Sequence, residues 1–291
     1  MTSTDASCYR HSERWAGVLC QRCSRPICPD CMITAAVGFQ CPECVQEGRR
    51  RTRQWSTASP IRVTQALVVI NAVIWLAVAI YSGDLSIWGG RVTEIHRDFA
   101  LHGWAVENGE YWRLFTSAFL HYGLFHLAMN MIVLVWLGRL LEPAIGGPRL
   151  LLLYAVSLCG GALGALLVEP DGLTAGASGA VFGLAGATVV AERASGRRWQ
   201  DSGILIFLVL NIVISLFVPR ISLGGHMGGL IVGALAALIL WGLPNWSGWV
   251  IAAARIRPLR ALPELSIAAL GAASIYLAIA VVAPRWYDPI F

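Results

Sequence analysis

The chain has 291 residues, of which 56% are apolar and 13% charged, and a formal net charge of +5. That balance excludes an ordinary soluble domain. The charge is not a nucleic-acid footprint either: the 22 basic residues, all of them Arg, are placed along the loops between apolar stretches.

Seven apolar stretches run near 63–82, 118–141, 149–168, 176–191, 203–218, 222–243 and 265–283. Most are about 20 residues, enough to cross a ~30 Å hydrocarbon core as helices. The fourth and fifth are shorter, which implies little tilt or enclosure by the others. The expected fold is therefore an all-α polytopic membrane protein with seven transmembrane helices behind a small N-terminal module. Seventeen of the Arg residues fall in residues 1–62 and in the loops after spans two, four and six. By the positive-inside rule the N-terminus is cytoplasmic and the C-terminus outside. The first 60 residues contain no apolar core with a cleavage site, so the first span is expected to act as its own insertion signal.

Residues 1–48 carry Cys8-x-x-His11, Cys20-x-x-Cys23, Cys28-x-x-Cys31 and Cys41-x-x-Cys44. Eight ligands in four paired knuckles are what two structural, tetrahedral zinc ions require. A disulfide framework would need an oxidising compartment, whereas the arginine distribution puts this segment in the reducing cytosol. The order of pairs resembles a B-box or RING-like cross-brace zinc finger. That resemblance implies one ion shared by Cys8, His11, Cys28 and Cys31, and a second shared by Cys20, Cys23, Cys41 and Cys44. Cys159, the remaining cysteine, lies inside the third span and reads as a small core residue. Residues 49–62, with Arg49, Arg50, Arg51 and Arg53, read as a basic linker that either lies on anionic headgroups or simply resists translocation.

The loop over 83–117 is rich in Trp and Tyr, as suits a segment partly sunk in the membrane interface. His96 and His102 in this loop call for no function. Span two opens with His121, His126 and Asn130, the last two one helical turn apart on one face. Ionisable or amide groups at that depth are costly without partners, so they are either functional or interhelical hydrogen-bond glue. Turn formers at 169–172 put Ser178, between Gly176 and Gly179, in the first turn of a helix. There the unpaired N–H groups point outward at the positive dipole end. The hydroxyl is a candidate nucleophile with an oxyanion site beside it, or a packing and capping residue. Span six opens around Gly224-Gly225-His226, and the rows Gly179/Gly183 and Gly225/Gly229/Gly233 allow close helix approach.

Spans two, four and six enter the membrane from the same face. His126, Asn130, Ser178 and His226 therefore share a depth just below the outer surface, and Phe182 can pack its ring on His226. Ser and His on neighbouring spans, with His and Asn on a third, resemble a rhomboid intramembrane serine protease. The likeness rests on Gly176-Ala177-Ser178-Gly179, His126-x-x-x-Asn130, Gly225-His226-x-x-Gly229-x-x-x-Gly233 and Trp112-Arg113, over about residues 60–243. It implies a six-helix core over 63–243, followed by a loop and a seventh helix over 244–291. It implies Ser178 as nucleophile and His226 as general base, with His126, Asn130 and the Ser178 N–H as the oxyanion hole. His121 would shape water access, Gly176 and Phe182 would support the pair, and Trp112-Arg113 would lie in the interfacial loop. The fifth span and the loop near Pro219 to Leu223 would form a lateral gate and cap. Gly225 departs from the alanine more frequent before the histidine, which only enlarges the space.

The expected activity is cleavage of membrane-anchored substrates that approach laterally through the lipid bilayer, with no cofactor for the chemistry. The zinc module would serve a cytosolic protein partner. The setting is a plasma membrane, of bacterial type. A second reading is an inactive relative that binds or traffics membrane clients; the intact Ser178/His226 pair argues against it. A transporter would show internal repeats or charged residues at the midplane, and neither is present.

Overall fold

The computed structural model describes residues 7–35, 38–51, 60–88, 90–196, 203–218, 221–242 and 261–283. Arg53, the Arg197-Arg198 pair, Pro219, Arg220, Arg285 and the Arg255–Arg260 loop lie outside the described residues. The chain divides into two compact units, Met1–Ser56 and Thr57–Phe291.

In the first unit, β1 (Val18–Leu19) pairs antiparallel with β2 (Pro26–Ile27), and β3 (Ile33–Thr34) with β4 (Phe39–Gln40). Helix α1 (Pro42–Arg51) follows. It runs through Arg51, so the first residues of the expected linker are helical. Of the eight residues buried at the centre, six are cysteines and the others are Ala16 and Ile27. Two buried aliphatic side chains, with the partly buried Tyr9, Val18, Met32 and Phe39 against them, make too small a core to offset the ordering of some forty residues, so this unit needs a further source of cohesion.

The second unit opens with α2 (Arg62–Ser82). The loop after it carries α3 (Glu94–Phe99), α4 (Gly103–Glu107) and α5 (Arg113–Thr116). Then come α6 (Leu124–Ile145), α7 (Gly147–Val168), α8 (Ser178–Ala194), α9 (Ile204–Phe217), α10 (Leu223–Ala237, continued by a π-helical turn to Gly242) and α11 (Leu262–Val282). Among the described residues, five helices are long and apolar enough to cross a membrane: α2, α6, α7, α10 with its continuation, and α11. The chain is accordingly a multi-pass membrane protein. Helix α9 is apolar but has 14 residues, and α8 has 17 and ends in Glu192-Arg193-Ala194.

One boundary differs from the sequence reading. The apolar run from 118 reads as the start of span two, yet α6 begins only at Leu124. Ser117–Phe119 form a turn of 3-10 helix, and Gly123 takes φ +130°, a backbone that only glycine adopts without strain. Apolarity marks these residues as buried without saying that they are helical.

Glycine brings three helices into backbone contact. On one face of α10, Gly224 and Gly228 meet Gly164 and Gly160 of α7. On the other, Gly229 and Gly233 meet Gly179 and Gly183 of α8, so close that any Cβ would overlap a carbonyl. Without a hydrophobic drive between helices in lipid, such contact supplies the packing. Helix α8 buries 11 of its 17 residues. Helix α9 is the opposite: among its residues only Ile204 and Ser215 are buried, and Ile206, Val209, Leu216 and Phe217 stand exposed, a surface suited to hydrocarbon. At the far end of α6, buried Glu142 accepts hydrogen bonds from the N–H groups of Val63 and Thr64, both 2.9 Å, and from the Thr64 hydroxyl at 2.6 Å. A carboxylate there caps α2 at its positive end.

Candidate functional site

Ser178 is the first residue of α8, and the turn before it is held by the Gly176 N–H donating to the Ser117 carbonyl at 2.9 Å. Gly176 has φ +133°, and a Cβ there would stand 2.9 Å from both Cε1 and Nε2 of His126 and 3.8 Å from Ser178 Oγ. The His126 ring edge thus occupies the space a side chain would fill, beside the serine hydroxyl. His126 Nδ1 accepts from the Tyr122 N–H at 3.4 Å, which leaves the proton of the neutral ring on Nε2. Asn130, one turn on, donates one amide hydrogen to the His126 carbonyl at 2.9 Å. Its second hydrogen remains available.

His226 is the fourth residue of α10, whose first turn is capped by Ser222 Oγ accepting from the Gly225 N–H at 2.9 Å. The imidazole is buried and lies flat on Phe182, with ring centroids 4.0 Å apart and planes 11° from parallel. Its Nδ1 is 2.8 Å from Ser215 Oγ on α9.

One cavity of about 650 Å³ is lined by Ser178, His226, His126 and Asn130, and also by Gly176, Phe182 and Gly225. The structure thereby brings together residues from α6, α8 and α10 that the sequence reading assigned to one depth. A hydroxyl, an imidazole and N–H donors at a helix N-terminus, walled by apolar side chains, form a set suited to acyl transfer.

Three of the expected residues lie outside the lining. His121 stands behind it, edge-on to His126 with centroids 5.0 Å apart, and its Nε2 accepts from the Ala177 N–H at 3.5 Å. Arg113 is buried in the loop, where it pairs with Glu110 at 2.6 Å and donates to the Ala100 carbonyl at 2.9 Å. Trp112, half-exposed, donates to the Asp98 carbonyl at 3.5 Å. The contacts of Arg113 and Trp112 organise the loop rather than the cavity. His96, which the sequence reading passed over, is buried there, bonded to Thr93 and stacked on Tyr122. Ser215 was also missed; the signal was one hydroxyl in a run of Leu, Ile and Phe.

In the N-terminal unit the cysteines and His11 form two clusters: Cys8, His11, Cys28 and Cys31, and Cys20, Cys23, Cys41 and Cys44. Within each, all ligand atoms lie within 4.8 Å of one another. His11 Nδ1 is 3.4 Å from Cys28 Sγ and 3.5 Å from Cys31 Sγ, and the Cys23 and Cys41 sulfurs are 3.8 Å apart. Zinc bonds of about 2.3 Å to sulfur and 2.0 Å to nitrogen in a tetrahedron give edges of about 3.5 to 3.8 Å, so these residues fit that ion. Burial raises the thiols of Cys8 and Cys20, but backbone N–H donors outweigh it and bring both to about 6. Burial and the neighbouring sulfurs push Cys31 to about 11 and Cys44 to about 12. Each cluster thus sets a thiol that ionises readily beside one that resists, a pattern that a divalent cation would resolve.

A family model described as the Rhomboid domain matches residues 108–243. The "Putative rhomboid protease YdcA" of Bacillus subtilis is 30% identical over 181 residues, 61% of this chain and 87% of that protein. The "Rhomboid protease GluP" of the same organism is 37% identical over 143 residues, 48% of this chain and 28% of that one. "RHOMBOID-like protein 5" of Arabidopsis thaliana is 35% identical over 164 residues, covering 54% and 53%. Against GluP and the plant protein the chain spans about half of the relative's length or less.

Proposed function

The chain belongs to the rhomboid family, and on that premise we propose that it is an intramembrane serine endopeptidase. The observation that carries the reading is the convergence of Ser178, His226, His126 and Asn130, from three helices, on one cavity. The Ser178 hydroxyl attacks the scissile carbonyl carbon as His226 Nε2 takes its proton. Charge develops on the carbonyl oxygen, which the Ser178 N–H, the His126 Nε2–H and the free Asn130 amide hydrogen receive at the positive end of α8. His226 returns the proton to the leaving amine, and water then hydrolyses the acyl-enzyme. The pair needs no cofactor. His121 holds the turn before Ser178 and shapes water access.

All seven apolar helices cross the membrane in this reading, with the N-terminus cytoplasmic and the C-terminus outside in a bacterial plasma membrane. Residues 63–243 form the six-helix core, and 244–291 add a loop and the last helix. Substrates are transmembrane segments that approach laterally past the thinly packed α9. Residues 1–48, joined by a basic linker over 49–62, hold two structural zinc ions and engage a cytosolic protein partner.

The experiment is labelling of the purified chain with a serine-directed fluorophosphonate. Wild type is expected to react at Ser178, with no reaction in Ser178→Ala and a strongly slowed one in His226→Ala. Equal labelling of all three would remove the assignment and leave an inactive, client-binding relative as the reading.

A further inference from the structure

Ser215 is one of two buried residues on α9, a helix otherwise turned outward, and it is the polar one. Its Oγ lies 2.6 Å from the Asn211 carbonyl oxygen and 2.8 Å from His226 Nδ1. A hydroxyl has a single proton, and the carbonyl can only accept. The Ser215 O–H therefore donates to Asn211, and its oxygen is left to accept from the imidazole. That acceptance requires a hydrogen on His226 Nδ1, so in the neutral ring Nε2 carries the lone pair. In the opposite tautomer two acceptors, the Asn211 carbonyl and His226 Nδ1, would compete for the one Ser215 proton in a buried site, where an unmet polar group is costly. Phe182, parallel to the ring at 4.0 Å, fixes its plane; Ser215 fixes its rotation within that plane.

We infer that Ser215 is a positioning residue, which holds His226 in the Nδ1–H form with Nε2 free to act as base. The inference rests on the proposed Ser178/His226 chemistry. In a triad this task falls to a carboxylate, which also offsets the charge of the imidazolium. A neutral hydroxyl supplies orientation and tautomer with little charge compensation, so its removal costs far less than loss of a triad carboxylate. The sequence offers a conservative probe, because Thr in a helix also bonds the carbonyl four residues back through its hydroxyl.

The test uses the full chain in liposomes with a peptide that carries a transmembrane segment. Ser215→Ala is expected to lower kcat by roughly tenfold, the loss of one buried hydrogen bond. KM and melting temperature should stay near wild type, and Ser215→Thr should recover most of the rate. Histidine labelled with nitrogen-15 in a Ser178→Ala background reads the tautomer without any turnover, the His226 signals being those lost on adding His226→Ala. Its proton is expected on Nδ1, with both tautomers populated once Ser215→Ala is added. Proton on Nε2 before that change, or equal kcat for the Ala and Thr variants, overturns the inference. If wild type fails to cleave, the protease reading falls and with it the catalytic meaning of the contact; the nitrogen spectrum still decides the contact itself.

Discussion

His126 and Asn130 are where hydrogen-bond glue and oxyanion stabilisation forecast different results. Asn130 spends one hydrogen on its own helix and His126 spends Nδ1 on the Tyr122 N–H, so neither binds another helix through these contacts. Asn130→Ala is therefore predicted to lower turnover by about tenfold or more while the melting temperature moves little. One oxyanion donor is worth on the order of 3 kcal/mol in a soluble serine protease, and the remaining donors cushion its loss. Full turnover with a sharply lower melting point assigns the pair to packing instead. Gly176→Ala meets two obstacles, a φ of +133° and the His126 ring edge. The predicted result is loss of activity greater than that of Asn130→Ala, read by cleavage rate per folded molecule.

At the scale of the element, the close approach of α10 to α8 sets the separation on which the site depends. Gly229→Val should displace one backbone from the other and cost about 1–3 kcal/mol or more, read as a lower melting temperature together with lost labelling of Ser178. The helices and the glycine rows were legible in the sequence because apolar length and small-residue spacing are local signals. That His126, Ser178 and His226 line one cavity agrees with an expectation reached by counting residues from each helix start. The beginning of α6 was not legible, since residues 118–120 are as apolar as a span while Gly123 breaks the helix. Nor was the partner of His226. A serine in a membrane helix ordinarily bonds its own preceding turn, as Ser157 and Ser274 do. Nothing in the spacing of Ser215 from His226 tells which one also reaches a neighbour.

For the whole molecule, the two units call on different cohesion. The membrane unit rests on glycine contact and lipid-facing apolar surface, the N-terminal unit on its two Cys/His clusters. The pairing of those clusters came from a resemblance, because knuckle spacing alone does not say which pair joins which. Metal analysis of the full chain is predicted to return about two zinc ions per molecule, falling in a Cys41→Ser variant. An unchanged metal content, or none in the wild type, rejects the assignment. Removing residues 1–48 should leave intrinsic cleavage unaltered, because every residue proposed for the chemistry lies in the other unit.

The most direct test of the central claim is mass analysis of a transmembrane-segment peptide incubated with the full chain in liposomes. Wild type is predicted to cut at one or a few bonds near the segment's end, with no product from Ser178→Ala or His226→Ala, both with wild-type melting temperatures. Product from either variant at the wild-type rate would contradict the account.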